Sequence, residues 1–389
     1  MIADGAVAGE NYAEWVRRTL ARVRASNTRT VTLFDSSVPE PRELLTATVA
    51  EAFAEPVTDR YVSAFSGGNP FVVAQLASHY GVGPDNVICT TGATGALSLL
   101  YRALVRPGEH VLVETPGFDL FAGIGAVNGI AVDQFERAAP DFDLDVDRIA
   151  RAIRPETRLI VLSNLHNPSG RVAAHDALLA LASLAEARDV LVLVDEVYGD
   201  YADATARPRP AASLSSKFIS VSSLTKIYGL STLRCGWIVG DADLLRPVRM
   251  LAESYDFGVS NLAHAAAALV LENSAAFTAC SNRITEAARP IVEAKFTAWA
   301  RDGLIEGSVP PFGCIAFPRL VGIDDTAAFA HWLGNRNGVI VAPGEYFGLA
   351  GHIRIGFAQP VDDLAFALDA LEEGLRAWRA EGLRKRAAR

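Results

Sequence analysis

Several residues able to do chemistry stand just where strand-like apolar runs of this chain end. Lys226 closes the stretch Ser222–Ser223–Leu224–Thr225–Lys226, and Gly229 and Arg234 follow it. A lysine among small hydroxyl residues can be held beside an anion, and its amine becomes nucleophilic when desolvation or nearby positive charge lowers its pKa. Such an amine can form an imine with an aldehyde. Arg234, eight residues on, could reach the same pocket and grip a phosphate with its fork of donors. A surface lysine and an unrelated arginine are the plain alternative. Asp195 ends the apolar run Val192–Leu193–Val194. A fixed carboxylate there would keep a pyridine nitrogen protonated, so that the ring can accept electrons. A helix N-cap after a buried strand is its competing use. Tyr198, three residues on, could hydrogen-bond a phenolate oxygen of the same ring.

Four further segments fit the same chemistry. In Asn164–Leu165–His166–Asn167–Pro168–Ser169–Gly170, the proline pushes Asn167 towards extended backbone and Gly170 permits a sharp turn. Asn167 could donate to the phenolate oxygen, or the segment could be simply a turn; His166 receives no role. Thr91–Gly92–Ala93–Thr94–Gly95–Ala96 joins a strand to a helix, where unpaired N–H groups and the helix dipole favour phosphate. Neither a GxGxxG nor a GK[ST] pattern is present. Phe118, in Pro116–Gly117–Phe118, could stack on a planar ring or fill a core. Arg354, set in Ile353–Arg354–Ile355, calls for an anionic partner if buried: a substrate carboxylate or a structural acid.

The elements that must position these residues read as alternating strands and helices. Val87–Thr90, His110–Glu114, Leu159–Ser163, Val190–Asp195, Phe218–Ser222 and Trp237–Val239 are apolar runs, mostly separated by helical stretches such as Ala96–Leu104. That rhythm predicts an α/β, mostly parallel sheet covered on both faces, with ligands at the C-terminal strand ends. Asn11–Ala25 reads as an amphipathic helix, and a long helical region spans roughly 241 to 300 with an interruption near Asp256–Ser260. A smaller α+β unit follows. The division expected is 1–40 as an N-terminal arm contributing to the small domain, 41–284 as the large domain and 285–389 as the small C-terminal domain.

The 389 residues carry a net charge of −9, with 50% hydrophobic and 21% charged residues, which suits a globular protein with an ample core. The acidic balance argues against a nucleic-acid surface; the one basic run, Arg384–Lys385–Arg386, reads as a solvated helix end. Cys89, Cys235, Cys280 and Cys314 are scattered, without metal-ligand spacing, as in a reducing cytoplasm. The first residues lack the apolar core of a signal peptide, and no apolar run is long enough to span a membrane.

Order and spacing together carry more than any one motif. From about residue 28 to 380 the chain resembles the class I/II aminotransferases, the fold type I enzymes that depend on pyridoxal 5′-phosphate (PLP). The motifs are TGATGA (91–96), PGF (116–118), HNPSG (166–170), DEVY (195–198), SLTK (223–226) with Arg234, APGEYFG (342–348) and HIRIGF (352–357). The resemblance implies a three-layer architecture and these roles: Lys226 binds the cofactor as an imine and shuttles the substrate proton, and Asp195 pairs with the pyridine nitrogen. Asn167 and Tyr198 bind the phenolate oxygen, Phe118 stacks on the ring, and Gly92, Ala93, Thr94, Ser223, Thr225 and Arg234 cradle the phosphate. Arg354, with Asn167, binds the α-carboxylate, and Ser37 is the candidate in the substrate loop 34–39. It also implies a homodimer with shared sites, Tyr61 being the candidate to reach the partner's phosphate. The implied reaction moves an amino group between an L-amino acid and a 2-oxo acid in a ping-pong cycle. Leu165 and His264 stand where the family often has proline and glutamine, which bears on substrate choice. Two other readings follow from the same scaffold: a PLP-dependent lyase or synthase, and a PLP-binding regulatory module. The last needs a DNA-binding domain ahead of it, and only about 28 residues precede the matched region.

Overall fold

A computed structural model describes residues 10–64, 67–207, 209–255 and 258–387. Its largest sheet has seven strands: β1 (Val87–Thr91), β2 (His110–Thr115), β3 (Ala131–Glu136), β4 (Thr157–Ser163), β5 (Leu191–Asp195), β6 (Phe218–Ser223) and β7 (Cys235–Val239). They lie in the order β1-β7-β6-β5-β4-β2-β3. All pairings are parallel except those of β7, which runs against both β1 and β6. The inner strands are apolar throughout because both faces are covered. Val111, Val113, Leu159, Val161 and Leu193 enter one buried cluster, and their neighbours Leu112, Ile160, Leu162, Val192 and Val194 enter the other. The sequence reading lacked β3. It is an edge strand, pairs only with β2, and of its six residues only Phe135 is buried, so it shows no apolar run.

Three helices surround the site. α1 (Tyr12–Ala25) starts at a capping box, in which Asn11 accepts from the Glu14 N–H and the Glu14 side chain accepts from the Asn11 N–H. α2 (Gly92–Leu104) follows β1 directly, four residues earlier than the apolar periodicity suggests. α3 (Leu120–Val127) follows β2. The long helical region beyond residue 240 resolves into Ala242–Tyr255, Asn261–Glu272 and α4 (Ser274–Arg301). Asp256 and Phe257 of the expected interruption lie outside the described residues.

A second core gathers under α4 and the closing helix α5 (Val361–Ala387). Between them sits a small antiparallel sheet of β8 (Ile315–Ala316), β9 (Ala342–Pro343) and β10 (Ile353–Gly356), ordered β8-β10-β9. The N-terminal segment joins this core: Val31–Thr32 pairs in parallel with Val339–Ile340, and the Gly356 N–H donates to the Leu33 carbonyl. Among the described residues no helix is long and apolar enough to cross a membrane.

Candidate active site

The residues expected to hold a phosphate begin where β1 turns into α2. Gly92 takes φ +77, and a Cβ there would lie 2.4 Å from an Arg234 guanidinium nitrogen. A Cβ on Gly236 of β7 would lie 2.4 Å from the Gly92 carbonyl carbon and 2.7 Å from the Ala93 nitrogen. Two glycines therefore let β7, the start of α2 and Arg234 meet. Thr91 does not cap the helix with its side chain, so the first-turn N–H groups lack helical acceptors, and Ala93 and Thr94 of that turn line the cleft. Arg234 itself takes φ 47, which turns it back to this end. Its guanidinium packs against Gly92 and donates to the Ser231 and Thr91 carbonyls, each at 3.4 Å. Ser223 and Thr225 complete the rim, bridged by the Thr225 N–H donating to the Ser223 hydroxyl.

The middle of the cleft is built by the ends of three adjacent strands. Register sets Ser163 of β4 beside Asp195 of β5, and Asp195 beside Val221 of β6. Asp195 is 5% exposed. Burial pushes its carboxyl up to about 6, against the opposing pull of the Val197 N–H, which donates to Oδ1 at 3.1 Å, and of the Lys226 charge. No α-helix follows it; the chain goes into a short 3₁₀ turn, Gly199–Tyr201, so Asp195 is not a helix cap. The Lys226 ammonium lies 5.3 Å from the Tyr198 ring centre and donates to the Ser36 hydroxyl at 3.0 Å. Tyr198 is buried and its hydroxyl has no partner among the described residues. Phe118 is half-buried at the cleft wall, edge-on to Phe121.

At the other end stands Arg354, 1% exposed on β10. Nη1 donates to Asn167 Oδ1 at 2.8 Å; Nη2 donates to the Tyr12 hydroxyl and to the Phe34 carbonyl at 3.0 Å; Nε has no partner. Among the described residues no carboxylate pairs with it, so of its two expected uses the structural salt bridge is absent. Tyr12 is a site residue that the sequence reading missed. It begins α1, lies 5.1 Å under the Arg354 guanidinium, and its N–H donates to Asp119 at 2.7 Å. Its only local signal is the capping box, which fixes a helix start but not what lies opposite.

One cleft of about 160 Å³ brings together Ala93, Thr94, Phe118, Asn167, Asp195, Tyr198, Ser223, Thr225, Lys226, Arg234 and Arg354, with Tyr12 and Ser36; Gly92 backs it from behind Arg234. Ser37 is not in the lining. Along this loop Phe34, Ser36 and Val38 are buried while Asp35 is exposed and Ser37 half-buried, so Ser36 takes the inward place. Tyr61 is also outside it, 50% exposed and packed edge-on against Phe53. His166 is buried and holds the turn, bonded to the Pro116 carbonyl at 2.8 Å and the Ser169 hydroxyl at 2.6 Å. Behind it the fully buried Glu114–Arg137 pair binds the end of β4: Glu114 accepts from the Ser163 N–H at 2.8 Å, and Arg137 donates to the Ser163 carbonyl at 3.2 Å.

The family model "Aminotransferase class I and II" matches residues 42–371. The chain belongs to this family. Among curated relatives of this aminotransferase, a capreomycidine synthase of Streptomyces vinaceus is 32% identical over 311 residues, 79% of each chain. A probable N-succinyldiaminopimelate aminotransferase of Mycobacterium tuberculosis is 31% identical over 281 residues, 70% of each. A Thermus thermophilus aspartate aminotransferase superposes with TM-score 0.81 at 23% identity, covering 92% of this chain and 95% of that one. It shares the fold type I architecture. The family's cofactor is PLP, and the residues present fit it. The partnerless Tyr198 hydroxyl, the buried acid at the end of β5, the weakly engaged Arg234 and the glycine-lined start of α2 each offer what a phenolate oxygen, a pyridine nitrogen and a phosphate require.

Proposed function

We propose that this PLP-dependent aminotransferase transfers the amino group of an L-amino acid to a 2-oxo acid with Lys226 as proton carrier, Asp195 as electronic anchor and Arg354 as carboxylate clamp. The observation that carries the reading is Arg354: a buried guanidinium without a carboxylate partner, opening on the same cleft as Lys226. Such a group is retained where an anion arrives with the ligand.

Bound PLP supplies an aldehyde that condenses with amino groups and a ring that draws off the electron pair left at the substrate's Cα. The chain's own residues do the rest. Ala93 and Thr94 N–H groups with Ser223, Thr225 and Arg234 would hold the phosphate. Asp195 would keep the proton on the ring nitrogen; Tyr198 and Asn167 would serve the ring oxygen, and Phe118 would lie against the ring. Arg354, oriented by Asn167 and Tyr12, fixes the α-carboxylate and thereby the direction of the Cα–H bond. The Lys226 amine takes that proton and returns it, Ser36 standing 3.0 Å from it as a hydrogen-bond partner. The donor leaves as a 2-oxo acid before the acceptor binds, so kinetics are ping-pong.

We place the large domain at 41–284 and the small one at 285–389 with 1–40, a division supported by the separate core under α4 and α5 that Val31 and Leu33 enter. The protein is proposed to be a homodimer in which the exposed Tyr61 reaches the partner's site. Its four free cysteines, three of them buried, support a cytoplasmic location. A half-reaction test follows: holoenzyme mixed with single amino acids should convert to the amine form of the cofactor with one equivalent of 2-oxo acid. The similarity to a capreomycidine synthase favours a second reading, a lyase or synthase on the same residues. Product release with the cofactor still in its aldehyde form would select that reading. Borohydride should fix the cofactor covalently to the parent protein and not to Lys226→Ala; fixation to the variant would end the assignment of Lys226.

A further inference from the structure

The cofactor cleft has three committed ends: the anion rim at Arg234, the acid at Asp195 and the clamp at Arg354. A fourth side is formed by Phe118 and Thr94, which would also serve the cofactor ring and phosphate, and both residues also line a second, larger cavity of about 580 Å³ between α1 and α3. Ligand pockets run from about 300 to 1,000 Å³; the cleft alone, about 160 Å³, falls below that range and its neighbour within it. Leu120, Ile124, Val127 and Gly123 of α3 make its apolar side, and Val127 is 88% exposed at the rim.

Among the described residues the lining of this second cavity holds one acid, Asp119, and one base, Arg17. Asp119 already accepts the Tyr12 N–H at 2.7 Å, and Arg17 is exposed, where water screens any ion pair it forms. A charged side chain entering here would lose hydration for little return, whereas each apolar carbon would gain by burial.

We propose that the substrate's side chain passes Phe118 and Thr94 into this cavity, and that the enzyme takes amino acids with long, apolar side chains. The inference rests on the transaminase reading above. Alanine and 2-aminooctanoate share the same α-carbon chemistry, and burial is worth about fourfold per methylene. The holoenzyme should therefore favour 2-aminooctanoate over alanine by at least tenfold in kcat/KM. Gly123 offers a clean plug, because a Cβ built on it meets nothing within 4 Å. Gly123→Leu should lower kcat/KM for 2-aminooctanoate by about tenfold and leave alanine within about twofold. Val127→Asp, on an exposed position that folding does not use, should act in the same direction. Faster turnover of aspartate or arginine than of 2-aminooctanoate would overturn the inference while leaving transamination standing. So would equal losses for alanine and 2-aminooctanoate in both variants. If no amino acid of any class yields the amine form of the cofactor, the transaminase reading falls and the inference with it.

Discussion

Asp195→Asn separates what the residue does for folding from what it does for chemistry. In the apo-protein the carboxyl is held at about 6, above its ordinary value of 3.8, chiefly by burial. The folded state therefore prefers the protonated acid. Below about pH 4 the group is protonated in folded and unfolded chains alike and carries no penalty. The penalty grows between pH 4 and 6 and is complete above 6, where the folded chain must bury a charge. At about 1.36 kcal/mol per pKa unit it reaches roughly 3 kcal/mol. Asparagine keeps the acceptor for the Val197 N–H and removes the charge. Apo Asp195→Asn should then be more stable than the apo parent by up to about 3 kcal/mol at pH 7.5 and by only about 1 kcal/mol at pH 4.5, read by urea unfolding followed by circular dichroism. With PLP bound the sign reverses, because the carboxylate then faces a protonated ring: affinity for PLP should fall, and turnover should drop at least about a hundredfold. A variant no more stable than the parent at pH 7.5, or equally more stable at both pH values, would refute the electrostatic argument. Turnover within a few-fold of the parent would refute the role.

Other residues give sharper local tests. Tyr12→Phe removes a hydroxyl from the Arg354 guanidinium; a bond to a charged group contributes about 1.5–3 kcal/mol, so KM for amino acids should rise about tenfold or more with kcat nearly unchanged, and a fall in kcat alone would contradict the positioning role. Arg137→Met leaves Glu114 buried without its cation and should cost about 3–5 kcal/mol in urea unfolding, much of it recovered by adding Glu114→Gln; a loss below about 1 kcal/mol would show the pair to be dispensable. His264 is buried with both ring nitrogens unpartnered, and burial lowers it to about 4. It stays neutral in the fold while the unfolded chain gains a proton below about 6.5, so its contribution to stability worsens as pH falls from 6.5 to 4. His264→Leu should flatten that loss, with a larger gain in melting temperature at pH 5 than at pH 8; an equal gain at both would point to packing alone.

The sequence was most readable where local chemistry and burial coincide. β4 and β5 are buried on both faces, so their apolar runs could not be mistaken, and acids or amides at their ends stand out. β3 lies at an edge with one residue facing the core, and a single phenylalanine makes no pattern. The start of α2 reads as a turn because its first residues are small; they are small because Gly92, at φ +77, and Gly236 must let two backbones approach. Ser36 and Ser37 are chemically identical, and only the course of an irregular loop decides which one meets Lys226.

Tyr12 and Arg354 show where reading along the chain ends. They are 342 residues apart and meet because Val31–Thr32 pairs with Val339–Ile340, which draws the N-terminal segment across the small sheet and hangs α1 over the cleft. No periodicity encodes that pairing; its strand is two residues long. Lys226, Asp195 and Asn167 were recoverable by contrast because adjacent parallel strands put their C-terminal ends side by side, so that order in the sequence becomes proximity in space. The cofactor side of the cleft obeys that rule. The proposed substrate side draws on α1, α3 and β10, which come from three distant parts of the chain, so no single motif could announce it.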